Sequence, residues 1–269
     1  MNEPIAFNPT QALDNYAQPR VSIITAVYNA HTYINDCIVS ILSQNYPNFE
    51  YIIIDGGSSD GTVDIIRQYQ NQLAYWVSEP DKGIYDAWNK GLAVAKGDWI
   101  AFVGADDLLH PDMVQTYVTH INEHPKREEL EFVSSRIELV NDDLSPISTV
   151  GACWEWSLFK KDMITWHVGC FHAKRLFEQY GVFDTNYKIC GDYELLMRPG
   201  CNLITAFINQ PTVRMRMGGV SSVRLYQAID ETYRAKIKNG LVSPLKGQAK
   251  LIIDKARLTI KHIINLSKF

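Results

Sequence analysis

The chain has 269 residues, 46% apolar and 21% charged, with a formal net charge of −4, ordinary globular proportions that fit one large α/β domain or two small ones. The opening "MNEPIAFNPTQALDNYAQPR" lacks the basic start and apolar core of an export signal, and no apolar run approaches the roughly 20 residues that a membrane-spanning helix needs. Five scattered cysteines without a C-x-x-C pair argue against a disulfide framework or a zinc ribbon and fit a reducing cytoplasm. Residues 1–20 read as a polar lead-in. "VSIITAVYNA" is a β-branched run that stops at Asn29, too short for a helix. From His31 to Gln44 the apolar residues Tyr33, Ile34, Cys37, Ile38, Ile41 and Leu42 follow helical spacing. "FEYIIIDGGSSDGT" is a second strand ending in Asp, Gly and Ser, followed by a helix over Thr62 to Tyr69. "AYWVSEPDKG" is a short third strand, Gly83 to Ala95 a helix, and "DWIAFVG" a fourth strand.

Strands alternating with helices predict an α/β fold with a mostly parallel central sheet covered on both faces. Such sheets bind ligands beyond the carboxyl ends of their strands. Here those ends carry Tyr28 and Asn29, Asp55, Glu79 to Asp81, and the adjacent pair Asp106 and Asp107. The polar and acidic residues therefore converge on one rim. Two adjacent carboxylates repel each other and are costly to desolvate. A divalent cation between them and an anionic ligand offsets that cost, and Mg²⁺ or Mn²⁺ is the hard, oxygen-seeking choice. Gly104 and Ala105 leave room beside the pair. The competing reading is that one of the two aspartates caps the following helix.

Beyond Asp112 the pattern changes. A helix is expected from Asp112 to Glu123, a strand at "LEFVSSRIELV", short helices over Ala173 to Tyr180 and Asp192 to Arg198, and a strand at "PTVRMRM". The segments "VSIITAVYNA", "YIIIDGGSSDGT", "EPDKGIYDAWNKGLAVAKGDWIAFVGADD" and "GVFDTNYKICGDYELLMR" together resemble a family-two glycosyltransferase, closest to bacterial enzymes of O-antigen and capsule assembly. Four motifs in order, covering about Arg20 to Gly240, make the resemblance specific. It implies a GT-A fold and inverting sugar transfer from a nucleotide diphosphate. By position, Ala26 and Tyr28 would flank the nucleotide base and Asp55 would hydrogen-bond it. Asp81, Lys82 and Asn89 would line the nucleotide pocket, with a solvated loop as the alternative. Asp106 would face the ribose or share the metal, and Asp107 would be the main metal ligand. The family often has a further acid where this chain has Gly104, so weak, substrate-dependent metal affinity is expected. Asp192 matches the catalytic base, which takes the proton of the acceptor hydroxyl. The alternative is that Asp192 caps its helix. Glu194 is a second candidate that helical spacing turns away from Asp192.

His167 is a candidate contact to acceptor or diphosphate, or a structural histidine. Arg216, with Arg214, is a candidate for the diphosphate or for solvent, and "MGGVSS" suits a flexible loop. Trp154, Trp156 and Trp166 suit sugar stacking, a core or a membrane interface. "HINEH" matches the H-x-x-E-H pattern of zinc peptidases, but no Cys/His partners support it.

From Leu241 onward the chain carries six Lys/Arg and one acid, Asp254, a net +5 on a body of −9. Lys250, Asp254, Arg257, Lys261 and Lys268 form one helical stripe, with Ile252, Ile253, Ala256, Ile260, Ile263 and Ile264 opposite. Such a helix suits an anionic membrane surface, or packing on the body or a second subunit. The expected organisation is an N-terminal extension (1–20), a catalytic domain (21–240) with a nucleotide-sugar half (21–110) and an acceptor half (111–240), and a basic amphipathic helix (241–269). The expected partners are a nucleotide-sugar donor and a lipid-linked oligosaccharide, with the C-terminal helix on the inner face of the cytoplasmic membrane and no nucleic acid. A metal-dependent phosphoryl-transfer enzyme and a non-catalytic nucleotide-sugar binder are the rival readings.

Overall fold

The computed structural model describes residues 18–218 and 224–266, with side chains through residue 260. Strand β1 (Val21–Val27) is buried almost throughout, as its unbroken β-branched run requires of a central parallel strand. Helix α1 (Ile34–Leu42) buries Ile34, Cys37, Ile38 and Ile41, one helical stripe. Next come β2 (Phe49–Asp55), α2 (Thr62–Gln68), the edge strand β3 (Tyr75–Ser78), α3 (Ile84–Val94) and β4 (Trp99–Gly104). Helix α3 packs close on the sheet at Gly91, where a Cβ would stand 2.5 Å from Ile24 Cγ2.

The second half contains β5 (Leu108–Leu109), α4 (Met113–Glu123), β6 (Phe132–Val140), β7 (Pro146–Val150), α5 (Trp156–Phe159), β8 (Phe171–Ala173), α6 (Lys174–Tyr180), α7 (Gly191–Met197) and β9 (Thr205–Arg216). Helices α8 (Leu225–Lys238) and α9 (Pro244–Leu266) follow. The sheet order is β3-β2-β1-β4-β8-β6-β9-β5, with β7 beside β6. Pairing is parallel through β3, β2, β1 and β4 and between β6 and β9, which accounts for most paired positions. Strands β8, β7 and β5 add antiparallel pairs. The register of β6 on β9 shifts around Arg136; beyond that shift β9 also pairs with β5, just after Asp106 and Asp107. Two apolar clusters cover the two faces, one built on Ile23, Ile53, Val103 and α1, the other on Ile24, Ile52, Phe102 and α3.

Helix α9 docks on α8 through Gly247 against Ile237, a Tyr233–Asp254 hydrogen bond, Lys255 with Asp230, and Tyr226 with Thr259. The face it turns inward therefore carries Asp254, which the expected polar stripe had grouped with Lys250 and Arg257. Ile252, Ile253 and Ile260 remain 66%, 49% and 56% exposed, so this apolar stripe does not pack on the body. Lys268 and the side chains of Lys261, Ile263 and Ile264 lie outside what the structure describes, as do residues 1–17 and most of "MGGVSS". Among the described residues no helix is long and apolar enough to cross a membrane.

Candidate active site

Strand register sets the rim. Ala26 pairs with Ile54 and Gly104, and Asp55 lies between Val27 and Ser78. The loops beyond are stitched across strands. Asn29 N donates to Ser58 Oγ (2.7 Å), Ser59 N to Asn29 Oδ1 (3.0 Å), Ala30 N to Thr62 Oγ1 (2.9 Å) and His31 N to Asp60 Oδ2 (3.0 Å). The Thr62 hydroxyl and the His31 N–H pull the Asp60 carboxyl down to about 2. Asp55 is fully buried and accepts from Gly57 N, Ser58 N, Ser58 Oγ and Ser78 Oγ at 2.5–3.1 Å. Both of its oxygens thus organise the Gly56–Ser59 turn. Tyr28 stands 66% exposed above this turn. An ideal Cβ on Gly56 would lie 2.6 Å from Asp81 Oδ2 and 3.4 Å from the Tyr28 ring, so these three residues meet closely. Asp81 Oδ1 takes the Gly83 N–H at 2.7 Å and Lys82 N donates to Asp86. Asn89 exchanges two hydrogen bonds with the Phe183 backbone, at 2.8 and 3.0 Å, which ties the two halves of the protein together.

Asp106 and Asp107 occupy the turn between β4 and β5. Neither caps α4, whose N-cap position is Asp112. An ideal Cβ at Gly104 would fall 2.6 Å from Asp107 Oδ2 and 2.9 Å from Asp106 Oδ1. The two carboxylates therefore converge over the bare Gly104 backbone, whose N–H donates to Asp107 at 3.2 Å. Burial and the neighbouring Asp106 charge push the Asp107 carboxyl up to about 8, and burial raises Asp106 against the pull of Arg216. Two converging, partly desolvated carboxylate oxygens fit one hard divalent cation whose remaining ligands come from substrate and water. Among the described residues no group of three His, Cys, Asp or Glu could hold a metal. That also leaves "HINEH" without a site; His124 Nδ1 accepts the Lys126 N–H instead. Arg216 lies behind the turn, 5% exposed, donating to the Asp106 carbonyl at 2.6 Å with its guanidinium 5.0 Å from the Tyr33 ring centroid. Arg214 pairs with Glu138.

The other wall is α7. Its N-cap position is Cys190, so Asp192 sits inside the helix and does not cap it. Asp192 Oδ1 accepts from Tyr193 N (2.9 Å) and faces the Tyr85 hydroxyl (3.0 Å). Oδ2 lies 4.0 Å from His167 Nδ1. Burial raises the Asp192 carboxyl to about 6, against the pull of these hydrogen bonds. His167 stacks against both Trp88 and Phe102, ring centroids 4.7 and 5.3 Å away, and those two rings also touch each other at 4.9 Å. Among the described residues neither of its buried ring nitrogens has a hydrogen-bond partner, and burial holds its pKa well below the usual range, so the imidazole is neutral. Unpaired buried nitrogens of this kind are costly and suit a site that receives a polar ligand. Glu194, fully buried, is engaged by Arg198 (2.5 Å) and Lys238 (3.0 Å), away from Asp192. Trp154 and Trp156 pack on Phe159, and Trp166 lies against the core.

Sequence reasoning missed Tyr85 and Glu231. Tyr85 stands among the residues flagged for the nucleotide side, yet its hydroxyl crosses to Ile189 O (2.6 Å) and Asp192. Glu231 lies in a polar helix with no local signal and binds the loop before α7.

The family model described as Glycosyl transferase family 2 matches residues 22–134. A PGL/p-HBAD biosynthesis glycosyltransferase of Mycobacterium bovis is 30% identical over 204 residues, covering 72% of this chain and 75% of the relative. An uncharacterized glycosyltransferase of Mycobacterium tuberculosis is 33% identical over 187 residues, covering 67% and 68%. Among solved structures, S. aureus TarS residues 1–349 in complex with UDP superposes with a TM-score of 0.60 at 20% identity. It covers 81% of this chain, which spans 65% of that fragment's length. The mannosyltransferase PcManGT of Pyrobaculum calidifontis, in complex with GDP-Man and Mn²⁺, gives a TM-score of 0.60 at 21% identity, covering 87% and 70%. At these identities the structural likeness shows the GT-A fold alone.

Proposed function

The chain belongs to glycosyl transferase family 2, and on that premise we propose that it moves a hexose, with inversion, from a nucleotide diphosphate sugar to a lipid-linked saccharide during bacterial surface polysaccharide assembly such as that of O-antigen or capsule. That it is a glycosyltransferase is shown by the relatives; donor, acceptor and stereochemistry are our reading. UDP-sugars are the first choice of donor, in keeping with the UDP and UDP-GlcNAc complexes of TarS.

The observation that carries the reading is the pairing of two converging carboxylates over Gly104 with a separate carboxylate at Asp192, held 3.0 Å from the Tyr85 hydroxyl and raised by burial to about 6. Asp107, with Asp106, would hold Mg²⁺ or Mn²⁺, which when bound supplies charge stabilisation for a leaving diphosphate. Tyr28 and Ala26 offer a stacking surface for the base, with Asp81 and Lys82 beside it. Asp55 acts through the turn it organises. Asp192 has one oxygen committed to Tyr193 and Tyr85. Its Oδ2 takes the proton of the acceptor hydroxyl as that oxygen attacks the anomeric carbon. Neutral His167 beside it offers a hydrogen bond to the acceptor. Arg216 contributes by bracing the Asp106 carbonyl. The exposed stripe of α9, flanked by exposed Lys246, Lys250 and Arg257, would rest on an anionic membrane and bring the site to a lipid-linked acceptor, with the body on the cytoplasmic side.

A calorimetric screen of UDP-, GDP- and dTDP-sugars with and without Mn²⁺ tests the donor assignment. Asp192→Asn tests the mechanism: nucleotide binding persists and transfer is lost. Unchanged transfer in that variant removes Asp192 from the chemistry.

A further inference from the structure

Helix α8 turns one carboxylate back into the protein. Glu231 is 4% exposed, although Asp230 beside it is at the surface. Its oxygens accept the backbone N–H groups of three successive residues, Lys188 (3.0 Å), Ile189 (2.8 Å) and Cys190 (3.0 Å). Gln227, one turn earlier, donates to Oε1 at 3.0 Å and holds the carboxylate in place. Consecutive N–H groups facing one point form an anion-binding concavity, and here a side chain of the same protein fills it.

The bound segment leads directly into α7. Cys190 is the N-cap position of that helix and Asp192 its second residue. The opposite side of the segment is gripped from α3, where the Tyr85 hydroxyl reaches both Ile189 O and Asp192 Oδ1. Lys188 extends the grip by donating from Nζ to Thr185 O and to Lys82 O, on the nucleotide side of the site. Residues 188–190 are thus clamped between α8 and α3 and tied to the segment that carries Asp81 and Lys82. Burying a carboxylate is costly, and this one is used on a single three-residue stretch at the base of the reacting side chain.

Resting on the assignment of Asp192 as base, we propose that Glu231 is a positioning residue of the transfer reaction, fixing the 188–190 backbone so that Asp192 presents Oδ2 to the acceptor. It touches neither donor nor acceptor. A residue that only supported the fold would lower stability and nucleotide binding together. A positioning residue lowers turnover while nucleotide affinity stays, because a displacement of about 1 Å at a reacting group costs up to about 100-fold in rate.

The test uses the full chain with Mn²⁺ and a panel of UDP-glucose, UDP-N-acetylglucosamine, GDP-mannose and dTDP-rhamnose, scored by nucleotide release to water, alongside calorimetric UDP binding. Glu231→Gln keeps the shape but sets an amide donor against three N–H groups. Its turnover is expected to fall about 10- to 100-fold, with UDP affinity within about twofold and faster amide exchange at 188–190. Glu231→Asp recovers part of the rate. Gln227→Met leaves the carboxylate in the fold and lowers turnover about two- to threefold, which keeps the test open if Glu231→Gln does not fold. In an Asp192→Asn background Glu231→Gln costs nothing further, since residues acting as one unit are not additive. Wild-type turnover in Glu231→Gln, equal losses of turnover and UDP affinity, or an undiminished loss on top of Asp192→Asn would each overturn the proposal. Full turnover in Asp192→Asn alone would instead remove the base assignment, and the positioning role with it.

Discussion

The Tyr85 hydroxyl lies 3.0 Å from Asp192 Oδ1 and 2.6 Å from Ile189 O, so a residue of the nucleotide-side helix α3 touches the proposed base across the cleft. Burial raises the Asp192 carboxyl to about 6, and the Tyr193 N–H and Tyr85 O–H bonds hold it from rising further. A base must be ionised to act, so turnover is expected to climb as pH rises through about 6 and then level. Tyr85→Phe removes a hydrogen bond that favours the charged form, and such bonds are worth about 1.5–3 kcal/mol. The acid limb of its pH–rate profile should therefore move upward by about one pH unit or more. An unmoved limb would separate Tyr85 from the titrating group.

Glu194 serves stability. Burial alone would raise its carboxyl, but the hydrogen bonds and charges of Arg198 and Lys238 outweigh burial and lower it. A carboxyl lowered in the folded state stabilises the fold above its unfolded value and loses that contribution as pH falls through the folded value. Removing Glu194 strips its carboxylate from Arg198 and Lys238, whose side chains are 18% and 48% exposed, and solvent at both discounts the loss to about 1–2 kcal/mol. Glu194→Ala should consequently lose about that much unfolding free energy in urea titrations at pH 7, and the deficit should shrink on acidification. Nucleotide release by the folded fraction should stay near wild type. A selective loss of turnover with intact stability would return Glu194 to the catalytic candidates.

Gly104 is the point over which Asp106 and Asp107 converge, with carboxylate oxygens 2.9 and 2.6 Å from where a Cβ would stand. Real Cβ atoms do not approach oxygen that closely, so even alanine must push both carboxylates aside. Gly104→Ala is expected to weaken Mn²⁺-dependent UDP binding by about tenfold or more, a loss of about 1.4 kcal/mol. The cost to folding should be modest, about 1–3 kcal/mol for overpacking. Calorimetry with and without Mn²⁺ separates the two effects: metal-independent UDP binding should change little. Full Mn²⁺ dependence in the alanine variant would place the cation elsewhere.

The rim was legible because each parallel strand announces its own end. Asp55, Ser78 and Gly104 follow unbroken apolar runs, and parallel pairing brings their ends level. What each carboxylate does there was not legible, since that depends on donors supplied by distant loops. Asp55 meets Ser58 and Ser78, and Asn89 meets Phe183, 94 positions away. Strands β5, β7 and β8 span only two to five residues, too few for a two-residue period to show. Helix α8 was missed for a different reason. Its buried residues include Glu231 and Lys236, so its inward face reads as a solvated one.

Helix α9 offers the remaining prediction. Its docked face uses Gly247, Asp254 and Lys255, leaving Ile252 and Ile253 at 66% and 49% exposure beside Lys250 and Arg257. An apolar stripe bordered by cations gains from both acyl-chain contact and anionic headgroups, with about 1 kcal/mol per basic residue near such a surface. The protein should sediment with vesicles of phosphatidylglycerol and phosphatidylethanolamine, release as ionic strength rises, and bind zwitterionic vesicles poorly. Ile252→Asp with Ile253→Asp should abolish sedimentation without lowering thermal stability, because neither side chain packs on the body. Wild-type binding by that double variant would exclude this face as the membrane contact, whereas a change in oligomeric state on its introduction would reassign the face to a second copy of the chain.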